Sequence, residues 1–172
     1  MLFRLTRRVR DWLKIADPKS LLYSNAQTGF DKEWYCNLLV IHRRKCLLFT
    51  HSVSLFSFLI AGVRQADVRN FGDFFRSHAS SALAAEGISK SQIGYLLDAG
   101  PDQIAKAENR SVLGSMNDLA RMCKFHSDSD GSFEWLKIDE MNREMNVAPM
   151  SYIGMESATR MLKKQLKSAS IE

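Results

Sequence analysis

The chain has 172 residues, 45% of them hydrophobic and 25% charged, with a formal net charge of +5. That length is enough to bury a core in one domain, and nine glycines, three prolines and no repeat or low-complexity tract argue against disorder and long linkers. The basic balance favours anionic partners. Three cysteines (Cys36, Cys46 and Cys123) without CxxC spacing, each in an apolar segment, read as reduced core thiols of a cytoplasmic protein.

In chain order, residues 1–5 alternate loosely and predict a short strand. Thr6 is placed as the N-cap of a helix running to about Ile15, with Val9, Trp12 and Leu13 as its apolar stripe and arginines opposite. The arginines of MLFRLTRRVRDW stand where a secretory apolar region would lie, so no signal peptide is expected. Asp17-Pro18 should end that helix, and the polar stretch to residue 33 reads as a loop.

Residues 34–63, WYCNLLVIHRRKCLLFTHSVSLFSFLIAGV, form the most apolar part of the chain. Three apolar runs separated by HRRK and THSVS predict a three-strand meander over about 34–61, with His42 to Lys45 as its first turn. Both faces of the first strand are mostly apolar, which makes it central. His51 and the hydroxyl residues around it argue against a membrane span, so no membrane partner is expected.

Helical spacing predicts a helix over 67–86 stopped by Gly87, then a shorter helix over 89–99. A strand at 103–107 follows, and then a helix N-capped by Ser111 that carries Val112, Met116, Leu119 and Cys123 on one face. SDSDGS at 127–132 reads as a flexible loop. Helices are expected at 133–146 and 156–166, the last with a basic face of Arg160, Lys163, Lys164 and Lys167. The sum is a single α+β domain over 1–172: a mostly antiparallel sheet with five to seven helices, a core over about 1–126 and a helical C-terminal region over about 133–168.

The segments FRLTRRV, WYCNLLVIHRRKCLLFT and ENRSVLGSMNDLA together resemble a bacterial and phage-associated family of small proteins known only as a domain of unknown function. The resemblance rests on Trp34, Asn37, Arg43, Arg44, Lys45, Asn109, Arg110, Ser111 and Asn117, and more loosely on MNREMNVAPMSYIG near the C-terminus. It implies one α+β unit and carries no activity with it.

Asn109-Arg110-Ser111, at a strand-to-helix step, would set free backbone N–H groups beside a guanidinium and suit a phosphate. The bland reading is a capped helix with Arg110 paired to a nearby acid. Arg43, Arg44 and Lys45 on a turn could sit on a nucleic-acid backbone, or simply keep a hairpin tip soluble. Arg7 and Arg8 on the first helix admit the same two readings. Trp12, Trp34 and Trp135 fit a core better than base stacking. The four histidines lack ligand spacing, so neither metal nor cofactor is expected.

The leading expectation is a small cytoplasmic protein that binds nucleic acid or phosphate through Arg7, Arg8, Arg43, Arg44, Lys45, Asn109, Arg110 and Ser111, in a mobile-element, toxin–antitoxin or phage-defence setting. The alternative is a protein-interaction module, an inhibitor or antitoxin-like partner, using the same basic surface or the Met-rich C-terminal segment. A second alternative is a metal-independent phosphodiester-cleaving enzyme, with His42 or His51 as base and Arg110 and Lys45 on the phosphate.

Overall fold

The computed structural model describes residues 1–15, 32–97, 101–130 and 137–169. Its centre is a five-stranded sheet of order β4-β3-β2-β1-β5, built from β1 (Leu2–Leu5), β2 (Glu33–Ile41), β3 (Arg44–His51), β4 (Ser57–Ile60) and β5 (Gln103–Lys106). The expected meander is β2-β3-β4, antiparallel throughout. β1 then inserts between β2 and β5, parallel to both. The fold is α+β, with six α-helices among the described residues.

Because side chains alternate along a strand, the register sorts them into two faces. Phe3, Trp34, Phe49 and Phe58 lie on one face, which is covered by α1 (Arg7–Leu13) and α2 (Phe71–Ala85). Phe75 of α2 sits among them, with ring centroids 5.0 Å from Phe3, 5.0 Å from Trp34 and 5.1 Å from Phe49. Asn70, whose side chain accepts from the Asp73 N–H, caps α2. A single helix over 67–86 was expected; Gln65–Val68 is instead a separate 3-10 turn. At the other end Gly87 takes φ +73° and its N–H reaches the Ala84 carbonyl, while Ile88 N–H reaches Leu83, satisfying carbonyls the helix leaves open. The short α3 (Lys90–Leu97) follows.

The other face is covered by α4 (Arg110–Asp130) and α5 (Ile138–Val147), with α6 (Ala158–Ser168) packed on α5. Val112, Met116, Leu119 and Cys123 of α4, Met141 and Met145 of α5, and Leu162 and Leu166 of α6 join the same core as the sheet. The C-terminal helices are therefore part of the domain's core. A two-stranded ribbon, β6 (Pro149–Met150) and β7 (Glu156–Ser157), links α5 to α6.

Other boundaries also differ from expectation. Asn109, not Ser111, caps α4: its Oδ1 accepts from the N–H groups of Ser111 (3.0 Å) and Val112 (3.3 Å). The α4 helix runs on to Asp130, so the first part of SDSDGS is helical. The first hairpin turn contains only His42 and Arg43, because Ile41 already pairs with Arg44. The loop expected before residue 33 falls mostly, and Trp135 wholly, outside the described residues.

Candidate functional site

The two N-terminal basic clusters of the sequence meet in the fold. The backbone enters α1 at Thr6, whose N–H donates to the Cys36 carbonyl (3.0 Å) and whose hydroxyl bonds Asn37 Oδ1 (3.0 Å). Those bonds hold the start of the helix against β2. Val9 and Trp12 are buried beneath α1, which leaves Arg7 and Arg8 exposed. Arg7 approaches Asp11 at 3.5 Å, but both side chains are largely in water, where such a pair contributes little. The helix ends at Lys14, which takes the left-handed conformation at φ +55°.

At the β2–β3 turn, His42 and Arg43 have φ of +45° and +64°. Positive φ at both central positions is the signature of a type I′ hairpin turn, for which Asn-Gly is the usual solution. Here an arginine occupies the second, which puts Arg43 at the apex. The tip is anchored from below by a 2.9 Å bond between His42 Nε2 and the Ser127 carbonyl of α4. Arg44 and Lys45 are the first residues of β3 and alternate across the sheet, both exposed. Lys45 turns toward α1, where its Nζ lies 5.3 Å from the centre of the Trp12 ring. That cation–π contact joins helix and hairpin into one surface. Over residues 6–15 and 42–46, Arg7, Arg8, Arg10, Lys14, Arg43, Arg44 and Lys45 stand against Asp11 as the one acid.

Asn109, Arg110 and Ser111 lie elsewhere. Arg110 is 17 residues before Ser127 on α4, a helical span of roughly 25 Å, so the hairpin tip and Arg110 are at opposite ends of that helix. Two of the N–H groups at the start of α4 are already taken by Asn109. Asn109 opens onto Arg4, Glu33 and Glu108, where acids outnumber bases.

Those acids belong to a cleft that sequence reasoning missed. Parallel pairing sets Arg4 beside Tyr35 in β2 and Ala105 in β5. Arg4 Nε donates to Glu33, and its Nη1 to the Lys106 carbonyl at 3.2 Å. Together with Tyr35, Glu108, Asn109 and Tyr152 this pair lines a cleft of about 840 Å³. Burial, and then the nearby Glu33 charge, push the Tyr35 phenol up to about 12, while the Asn109 backbone N–H pulls the other way. No local signal could have revealed the cleft, because its parts come from strands far apart in the chain.

The nuclease residues do not converge. His51 is fully buried, bonded to Ser54 Oγ at 2.8 Å and set against the Trp34 ring at 5.0 Å. His42 belongs to the hairpin anchor. Among the described residues no group of three or more His, Cys, Asp or Glu could hold a metal ion, and no helix is long and apolar enough to cross a membrane. In the Met-rich segment Met141, Met145 and Met150 are buried, and only Met155 of the five is largely exposed.

The fold and this surface define a single α+β unit with a basic helix–hairpin face. The chain matches, over residues 2–161, the model of a family described as a domain of unknown function, DUF6933, and it belongs to that family. No curated protein matches it.

Proposed function

We propose that this protein binds nucleic acid through the phosphate backbone, with Arg7, Arg8, Arg43 and Lys45 as the contacting groups; Arg44, on the sheet face opposite Lys45, is left out of the reading. The observation that carries the reading is the seat of Lys45 over Trp12, because it makes one continuous basic face out of two clusters that are distant in sequence. The tied hairpin supports it too, since a rigid tip loses little entropy on binding. Trp12 and Trp34 are buried, so base stacking has no platform there and phosphate contact is the better match. Asn109, Arg110 and Ser111 are outside this face and play no part in the reading. Three buried, unpaired cysteines suit a reducing cytoplasm. A mobile-element, toxin–antitoxin or phage-defence role is a further part of the proposal, and it follows the same binding.

The test is fluorescence anisotropy with labelled duplex DNA and RNA across a salt series. Binding at low salt that weakens with log salt at a slope of about −3 to −4 is expected for four neutralised phosphates. Absence of binding at low salt would overturn the reading. A protein partner captured at a stoichiometric ratio whatever the salt would favour the interaction-module alternative.

A further inference from the structure

The cleft beside β1 is opposite in sign to the net charge of the molecule, and its use is independent of the basic face. Its charged lining is Arg4, Glu33 and Glu108, a net of −1 in a protein whose net charge is +5. Arg4 is already engaged by Glu33 and by the Lys106 carbonyl, so its charge is matched internally. Glu108 is exposed, and among the described residues no hydrogen bond or ion pair is seen at its carboxylate, whose charge acts on Arg4 only at longer range. Tyr35 contributes a neutral phenol at ordinary pH.

The remaining lining is aromatic and aliphatic. Tyr152 is 43% exposed at this site, a large aromatic surface left in water. Val53, Ile153 and Met161 add apolar wall. A volume of about 840 Å³ is in the range of small-molecule sites. An exposed carboxylate beside a tyrosine ring and apolar walls selects a cation with an aliphatic body, held by charge at one end, by the ring face and by burial of its chain. Phosphates and carboxylates are disfavoured by Glu108 and by the prior commitment of Arg4.

We infer that this cleft binds a small organic cation, an alkylguanidinium or alkylammonium, with Glu108 as the counter-charge and Tyr152 as the aromatic wall. The nucleic-acid face lies in α1 and the β2–β3 turn, so the two can succeed or fail separately.

The experiment is a titration of the full chain with n-butylguanidinium, followed by amide chemical shifts, with n-butanol and butyrate as neutral and anionic controls of similar shape. Saturable shifts at Ser52, Asn109 and Tyr152 are expected with the cation, and at least tenfold weaker effects with either control. Glu108→Gln keeps the shape and should weaken the cation about tenfold while its spectrum otherwise overlays the parent's. Tyr152→Ala should weaken it by a smaller factor. The inference is overturned by unsaturable or absent shifts with n-butylguanidinium, by equal binding of n-butanol or butyrate, or by an unchanged affinity in Glu108→Gln.

Discussion

Asn146 does for strand β4 what a neighbouring strand would otherwise do. Its Oδ1 accepts from the Ser57 N–H at 2.8 Å and its Nδ2 donates to the Ser57 carbonyl at 2.7 Å. One turn earlier on α5, Asn142 Oδ1 takes the Leu59 N–H at 2.8 Å. Together the two amides satisfy backbone groups along an edge that would otherwise invite pairing with another chain. Asn146 is buried, so Asn146→Ala strands two buried backbone groups and is expected to cost about 2–4 kcal/mol, read from urea unfolding. Asn142→Ala should cost less, about 1 kcal/mol. A near-neutral Asn146→Ala would mean the clamp contributes nothing. The spacing MNREMN was visible from the start. Met141 and Met145 recur at i,i+4 as core residues do, and the adjacent asparagines follow them onto β4.

Burial of ionisable groups gives the molecule an alkaline limit. Burial, and then the neighbouring Cys46, push the Cys123 thiol up to about 12, and burial alone raises Cys36 well above its ordinary value. Tyr35 is likewise raised to about 12. For such acids the unfolded chain gives up its proton first, so the stability they contribute is complete below about pH 9 and is lost as pH rises toward 12. Unfolding free energies at pH 8, 9.5 and 11 under reducing conditions should fall in that order. Tyr35→Phe should flatten the upper part of the decline. A flat profile would contradict the burial assigned to these groups. The same burial predicts that all three thiols resist a disulfide reagent at pH 8 until urea is added.

At the scale of elements, the β2–β3 hairpin trades stability for its charge. Arg43 at φ +64° bears a left-handed penalty of about 1 kcal/mol that glycine avoids. Arg43→Gly should therefore stabilise the fold by about 1 kcal/mol while weakening nucleic-acid binding, a divergence measurable on one protein by unfolding and anisotropy. Loss of both properties would show that the arginine supports the turn instead. The meander itself was legible, because three apolar runs between polar breaks have few other solutions. The turn is two residues shorter than the sequence suggests, since Arg44 and Lys45 look like turn residues yet pair with Ile41 and Val40. Ser111 drew the cap away from Asn109 for a similar local reason: both side chains cap well, and only Asn109 has the geometry.

At the scale of the whole molecule, what the chain concealed was long-range. The insertion of β1 between β2 and β5 joins residues about a hundred positions apart, and parallel pairing leaves no hairpin signal. The cleft of Arg4, Glu33, Tyr35 and Glu108 was hidden with it. The basic clusters were readable one by one, whereas their meeting depended on Lys45 reaching Trp12 across the sheet face. The same layering places the cations of α6 (Arg160, Lys163, Lys164 and Lys167) in a separate groove with Glu86 and Glu156. The molecule thus offers an internal control with four cations of its own.

The most direct measurement compares two variants that each lose four positive charges. One carries alanine at Arg7, Arg8, Arg43 and Lys45, the other at Arg160, Lys163, Lys164 and Lys167. Duplex binding is followed at fixed low salt and then across a salt series. The helix–hairpin variant should lose about a hundredfold or more in affinity and most of its salt slope, and the α6 variant should stay within a few-fold of the parent. Equal losses in the two would mean that net charge alone drives the interaction, and a larger loss in the α6 variant would move the binding face to the other end of the chain.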